Sequence, residues 1–496
     1  MNLFDTSLTA LALLSLVGAA QAFAPVAPPM FVADDEKEEE VDEEAEPEET
    51  DDWLLLDGGD IFTGTGAVLR GASLLIKNGV IEDLGYDLYV PEEAETLDVR
   101  GLRLFPGMVA LSASSRITEG SFAPADEIDE PGYDPALDEA VDDEWDFDAL
   151  ELGDGFAPED AATRTTDSFD PFSTYLVLAL ANGITTVEQG NAAIRLRRFT
   201  IDDIVLRDDF ISSLSYASPD SRRGLREDFH AAREYLEAMR QWRANDEEGE
   251  EPSKRGINGN VLSILQGETR AKFNSNDREE LLGIARLAQE YGFRPIIDGC
   301  REGWIVADEL GRAGATAIIT ARDRRWKDDL QVAEGGSSIE NAAKLHAAGV
   351  QVAIKPLSGA IDLGGIAGRD LLALPTEAGF AVRGGLSNQA ALESITIVPA
   401  RILGVDHRIG SLEVGKDADV LVTDGDLLHY ETFVQYAVVS GELVYDKQEE
   451  LFYSHIRPVP RPEPEEAEPV EEGESDGDDG EPEHESGDGD APESEG

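Results

Sequence analysis

The feature that most constrains this chain is a regular alternation of strand and helix patterns between residues 260 and 354. The apolar run 261–265 leads to a strand-like 270–273 and a helix over Arg278–Tyr291. A strand at 294–297 precedes a helix at 302–313, and a strand at 316–320 precedes a helix at 338–348. Strand Gln351–Ile354 ends the series. Alternation of this length predicts a parallel sheet, either closed into a barrel or doubly wound.

Around that core lie two β-rich flanks. Runs 53–56, 67–69, 72–76 and 80–84 read as short strands, broken by Asp57-Gly58-Gly59, Gly71 and Asn78-Gly79. Asn-Gly between apolar runs is a hairpin signal. Next comes Leu104-Phe105-Pro106-Gly107-Met108-Val109-Ala110-Leu111-Ser112-Ala113-Ser114-Ser115, in which an apolar run enters a Pro-Gly turn and re-forms as a strand. A helix at 172–182 precedes the buried strand Gly183-Ile184-Thr185-Thr186-Val187. Leu225, Phe229, Ala232, Leu236, Met239 and Trp242 recur at helical spacing and predict an amphipathic helix. Towards the C-terminus, Ser387 is positioned to cap a helix through Ala390-Ala391-Leu392, Thr396 and Pro399-Ala400-Arg401. Arg408-Ile409-Gly410-Ser411-Leu412, Gly415-Lys416-Asp417-Ala418-Asp419 and strands at 420–422, 438–439 and 444–445 follow.

Taken together, the Pro-Gly strand, the Gly-Ile-Thr-Thr-Val string and the motifs from Gly385 to Tyr445 resemble the amidohydrolase superfamily, in its imidazolonepropionase-like branch. The resemblance covers about residues 53–450. It implies a (β/α)8 TIM-like barrel, with a small β-sandwich built from segments on both sides of the barrel in sequence. The family activity it implies is hydrolysis of C–N bonds other than peptide bonds, of the cyclic amide type. The corresponding boundaries are 53–103 for the N-terminal part of the sandwich, 104–404 for the barrel and 405–453 for the returning part.

The family holds a divalent metal with His-x-His after the first barrel strand, single His residues at the fifth and sixth strands, and Asp at the eighth. Such an ion lowers the pKa of bound water. Carried onto this chain, the first pair falls on Ser112 and Ser114, the strand-5 ligand on Phe273 or Asn274, the strand-6 ligand near Gly299, and the Asp on Leu357. Neutral serine is a poor Zn²⁺ ligand beside imidazole or carboxylate. The six histidines, His230, His346, His407, His429, His455 and His484, are scattered without ligand spacing. The expectation is a degenerate family member with no cofactor, acting as a binding scaffold for a small molecule at the barrel mouth. Glu188, Lys272, Asp298 and Lys355 fall near strand ends and are expected to form an ion-pair network there. The alternative is an active C–N hydrolase, either with a non-standard divalent (Zn) site on Asp298, Glu188 and Asn274, or metal-free. In the metal-free form Asp298 or Glu188 is the base, Lys355 the stabiliser, and Cys300 or Ser112 the nucleophile. Gly410-x4-Gly415-Lys416 lacks the Ser or Thr of a phosphate-binding loop and reads as a turn.

Charge bounds the partners. A formal net charge of −64 disfavours nucleic acid and anionic membranes, which repel such a field. Cys300 is the single cysteine, so no intramolecular disulfide and no cysteine-cluster metal site can form. Residues 1–22 read as a signal peptide, with apolar 8–20 and Ala20-Gln21-Ala22 at a cleavage site, although Asp5 replaces the usual basic residues. Export to the periplasm or the exterior is expected, with an uncleaved tether as the alternative. Residues 23–52 and 454–496 read as acidic disordered segments. The acidic insertion at about 119–167 reads as a surface loop, with a lid over the barrel mouth as its functional alternative. Homo-oligomers are common in the family and are an option here.

Overall fold

The computed structural model describes residues 51–119, 168–324, 335–361 and 368–450. The expected signal peptide (1–22), nearly all of the acidic linker (23–52), the insertion (about 119–167) and the tail (454–496) lie outside the described residues.

The N-terminal strands are longer than the glycines suggest. Strand β1 (Trp53–Phe62) runs straight through Asp57-Gly58-Gly59 and pairs antiparallel with β2 (Val68–Lys77), which likewise continues through Gly71. The glycines make register shifts on either side of Gly59 instead of a break. Gly58 adopts φ 84°, and a Cβ there would lie 2.4 Å from Arg100 Cγ. Asn78 (φ 48°) and Gly79 (φ 81°) turn β2 into β3 (Val80–Gly85), as the hairpin signal predicts. Across its bulge β1 changes partner, from β4 (Glu95–Asp98) to β5 (Arg103–Pro106), both parallel to it.

After Gly107 the chain leaves this sheet. Strands β6 (Met108–Ala110), β7 (Ile184–Gln189), β8 (Ala192–Arg195) and β9 (Val205–Asp208) form one sheet in that order; β6 pairs parallel with β7, and β8 pairs antiparallel with both β7 and β9. Strands β10 (Ile211–Leu214), β11 (Arg270–Ser275), β12 (Ile296–Gly299), β13 (Thr316–Ile319) and β14 (Gln351–Ile354) form a wholly parallel sheet. Strands β15 (Val420–Thr423), β16 (Val434–Val439) and β17 (Glu442–Asp446) then return to the first sheet through β15–β5 pairing, giving eight strands. The two flanks expected as a sandwich are therefore hydrogen-bonded into one mixed sheet.

The two central sheets enclose a common interior. Val109 of β6, Ala193 of β8, Ile296 of β12, Ile318 of β13 and Ala353 of β14 share one buried apolar cluster. Alternate residues Phe273, Ile297, Ala317, Ile319 and Val352 point outward into a separate core with the helices. That period of two is the signature of strands buried on both faces. Strands β6 and β14 meet through residues 394–395: Val109 N donates to Ile395 O (2.9 Å) and Ile354 N to Ser394 O (2.9 Å). The helix Ile397–Leu403 packs into the interior cluster, and Arg270, first residue of β11, donates to Arg401 O. This helix therefore closes the N-terminal ends of the strands and leaves the C-terminal ends open.

Helix boundaries follow local chemistry. The amphipathic helix spans Pro219–Ala244, started by a Ser218–Ser221 capping box and Pro219, and buries Leu225, Phe229, Ala232, Tyr235 and Met239. The helix expected at 302–313 is split into a 3₁₀ turn (Gly303–Ile305) and a short helix (Ala307–Arg312). Ser387 caps as predicted, its Oγ accepting from Ala390 N at 3.2 Å, but the helix it starts ends at Glu393. Among the described residues no helix is long and apolar enough to cross a membrane.

Candidate functional site

Towards the open end, the sequence places a charged residue on the inward side of four strands. Glu188 lies one residue before the end of β7, two after Thr186; Lys272 lies on β11, Asp298 lies two residues after Ile296 on β12, and Lys355 two residues after Ala353, just past β14. The structure brings all four together. Lys272 Nζ lies 2.9 Å from Glu188 Oε1 and 3.8 Å from Asp298 Oδ2, and Lys355 Nζ lies 2.5 Å from Asp298 Oδ1. The Glu188 side chain is only 3% exposed and that of Asp298 10%. Two carboxylates and two ammonium groups thus form a continuous, charge-balanced chain across the strand ends.

Backbone geometry completes it. Ser112, just after β6, adopts φ 58°, and its N–H donates to Glu188 Oε2 at 2.9 Å. Ala113 N donates to the Glu188 carbonyl (2.9 Å). Ser114 N donates to Gly359 O (2.8 Å), and Ser114 O accepts from Gln189 Nε2 (2.9 Å). Gly359 is required here, since a Cβ would lie 1.9 Å from Ser112 O. Ser112 and Ser114 thus act through their backbones. Gln189 and Gly359 carried no sequence signal beyond adjacency to a strand end.

The other positions carried over from the family lie differently. Phe273 points outward, its ring centroid 6.4 Å from that of Phe293, so Asn274 is the position on the inward side; it is exposed, opposite Asp298 in register. Gly299 has φ 99° and a Cβ there would meet Asn276 Oδ1 at 2.6 Å, so no side chain fits at that point. Leu357 is 55% exposed. Cys300 must be corrected as a nucleophile: it is fully buried, packs against Gly303 and Leu345, and burial pushes its thiol up to about 12. His230 is a surface residue paired with Glu234 on its own helix (3.2 Å).

The donor set does not fit a divalent metal. Glu188 and Asp298 already accept from ammonium groups, and a dication between them would sit against Lys272 and Lys355 at short range. Among the described residues no three His, Cys, Asp or Glu side chains converge as a ligand set.

A second charged cluster serves the scaffold. Arg195 of β8, fully buried, bonds Ser440 Oγ (2.9 Å) and pairs with Asp417, Asp203 (3.1 Å) and Asp419 (3.7 Å). Gly107 N donates to Asp419 O at 2.9 Å. The Gly-Lys-Asp-Ala-Asp string therefore joins the eight-stranded sheet to the barrel-like body.

Comparison with known proteins agrees with this architecture. The amidohydrolase family model matches residues 308–451, less than half of the chain. A solved amidohydrolase from Thermotoga maritima MSB8 is similar over 79% of this chain and 100% of that one, at 22% identity and a TM-score of 0.56. That likeness establishes a TIM-barrel-like α/β fold. N-acetylglucosamine-6-phosphate deacetylase of Rattus norvegicus is 45% identical over 65 residues, 13% of this chain and 15% of the deacetylase. The Homo sapiens protein of that name is 44% identical over 61 residues, 12% and 14% of the two chains. The match thus spans only about 15% of the length of these curated relatives.

Proposed function

We propose that this chain is an amidohydrolase-family protein in which the ion-pair chain Glu188–Lys272–Asp298–Lys355 stands in place of the metal centre, and that it binds a small molecule at the strand-end face instead of performing metal-dependent C–N hydrolysis. The observation that carries this reading is the position of the Lys272 and Lys355 ammonium groups against the two carboxylates a metal would need. Removing a dication while retaining buried carboxylates would leave unpaired charge, and two lysines offset it. Within the family, the Pro-Gly strand and C-terminal motifs favour the imidazolonepropionase-like branch. The short match to deacetylases favours an N-acetyl sugar branch.

The test is elemental mass spectrometry on the full chain after exposure to zinc, manganese and iron, with thermal unfolding in the presence and absence of a chelator. The expected result is far less than one metal per chain and an unfolding temperature indifferent to chelation. Near-stoichiometric metal, together with turnover of a cyclic amide or an N-acetyl amino sugar phosphate, would overturn the proposal.

A further inference from the structure

A cavity of about 180 Å³ lies where the end of helix Thr174–Ala181 meets the start of helix Leu374–Arg383 and the loop between β15 and β16. Asn182, which lines it, precedes β7 and so lies at the opposite end of that strand from Glu188. Although 29% of the chain is Asp, Glu, Lys or Arg, none of these is among the described residues of the wall. The loop's carboxylates are engaged by neighbouring donors. Asp424 Oδ1 accepts from Phe433 N and Oδ2 from Gln435 Nε2 (2.8 Å each), Asp426 Oδ1 from Leu428 N (3.0 Å), and Glu431 Oε1 from the Tyr430 hydroxyl (3.0 Å). Burying a charge without a partner is costly, so such a wall favours a neutral occupant.

The wall nevertheless carries neutral polar groups. Asn182 Nδ2 donates to Leu178 O (2.9 Å), and no described residue bonds its Oδ1. The Thr376 hydroxyl has no hydrogen-bond partner among the described residues. A purely apolar ligand would take water from both and leave them unpaired. Beside them stand two exposed aromatic rings. Tyr430 is 80% exposed and stacks one face on His429 (5.1 Å between centroids), so its other face is open. Phe433 is 48% exposed, with Lys447 Nζ 3.9 Å from its ring centroid. The loop is set before any ligand arrives: His429 N donates to Asp426 O (2.9 Å), Thr432 N to His429 O (3.0 Å) and Thr432 Oγ1 to Asp426 O (2.7 Å). Walls fixed in advance reduce the ordering cost of binding.

We infer that this pocket binds an uncharged, hydroxylated ring, a single neutral sugar unit, with its C–H face against Tyr430 and its hydroxyls bonded to Asn182 Oδ1 and the Thr376 hydroxyl. An open aromatic face and neutral hydrogen-bonding groups at one small site match a ligand that is apolar on its face and hydroxylated at its edge. The cavity has the bulk of about six waters, which is room for one ring and not for several. The inference goes beyond the strand-end reading and shares no residue with the ion-pair chain, so either can fail without the other.

The experiment is titration of the full chain, followed by saturation-transfer NMR, with the methyl glycosides of glucose, galactose, mannose and N-acetylglucosamine, and with cellotriose and chitotriose. The expected result is millimolar binding of at least one methyl glycoside, unchanged when sodium chloride is raised from about 0.1 to 1 M, since no ionic contact is involved. A trisaccharide that binds more tightly than its monomer assigns the end of a glycan as the ligand; one that binds no better assigns a free sugar. Tyr430→Ala and Thr376→Val should each weaken binding by about three- to tenfold, with the fold intact by circular dichroism. Tyr89→Ala, at a tyrosine 88% exposed after β3, should leave it unchanged. Absence of binding by every glycoside at about 10 mM, loss of binding in high salt, or equal affinity in the Tyr430 and Thr376 variants would overturn the inference.

Discussion

Lys272 is flanked by two carboxylates, and its own side chain is 16% exposed. Lys272→Met leaves the buried Glu188 carboxylate with the Ser112 N–H as its one hydrogen-bond donor among the described residues. Breaking one half of a buried pair costs roughly 3–5 kcal/mol, and the partial exposure of Lys272 places the loss towards the lower end. In Lys272→Met/Glu188→Gln the amide oxygen still accepts from Ser112 and no unpaired charge is left, so most of the loss should return. Urea unfolding of the single and double variants measures this; a double variant no more stable than the single would refute the pairing. At Cys300 a thiol raised to about 12 is protonated at neutral pH. Native protein should therefore resist a thiol-specific disulfide reagent at pH 8 and react fully once unfolded in guanidinium. The folded value lies above the unfolded one, so the stability this thiol contributes is complete below about pH 9 and fades as pH climbs towards 12.

Between elements, the decisive contacts are close approaches that only glycine allows. The Pro-Gly turn that hands the chain from β5 to β6 passes beside β7, and a Cβ on Gly107 would lie 2.1 Å from Thr185 Oγ1. Gly183, at φ 86°, would bring a Cβ within 2.8 Å of Leu421 Cδ1 on β15. These two glycines, each within a family-like motif, let β6 and β7 seat against the eight-stranded sheet. Gly107→Ala should destabilise the fold by about 1–3 kcal/mol through overpacking, read as a lower unfolding midpoint with the denaturant slope unchanged. An unchanged midpoint would mean that β7 moves aside freely.

Across the whole molecule, charge works against compactness. A net charge of −64 repels itself at neutral pH, and the interaction is screened over about 10 Å at 0.1 M salt and about 3 Å at 1 M. The unfolding temperature should therefore rise steadily as sodium chloride is raised over that range. A falling temperature would mean that screened surface ion pairs such as Arg197–Glu442 (2.6 Å) outweigh the general repulsion. The pairs of Arg195 with Asp417 and Asp419 are largely shielded from solvent and should contribute little to that salt dependence.

Sequence alone determined the alternation that makes the parallel sheet, the hairpin at Asn78-Gly79, the amphipathic helix and the scaffold motifs. Each of these is set by local periodicity or by backbone conformations that few residues adopt. It also named Glu188, Lys272, Asp298 and Lys355, because each falls near a strand end where an apolar residue would otherwise continue the core. Only the tertiary structure decided that these four meet, since residues 188, 272, 298 and 355 are neighbours solely by virtue of how the strands are ordered. It decided also that Phe273 points out and Asn274 in, that Cys300 is sealed behind Gly303, and that the two β flanks share one sheet. Those outcomes depend on register and on which face meets which neighbour. A one-residue change of register reverses every side chain of a strand while leaving its sequence pattern untouched.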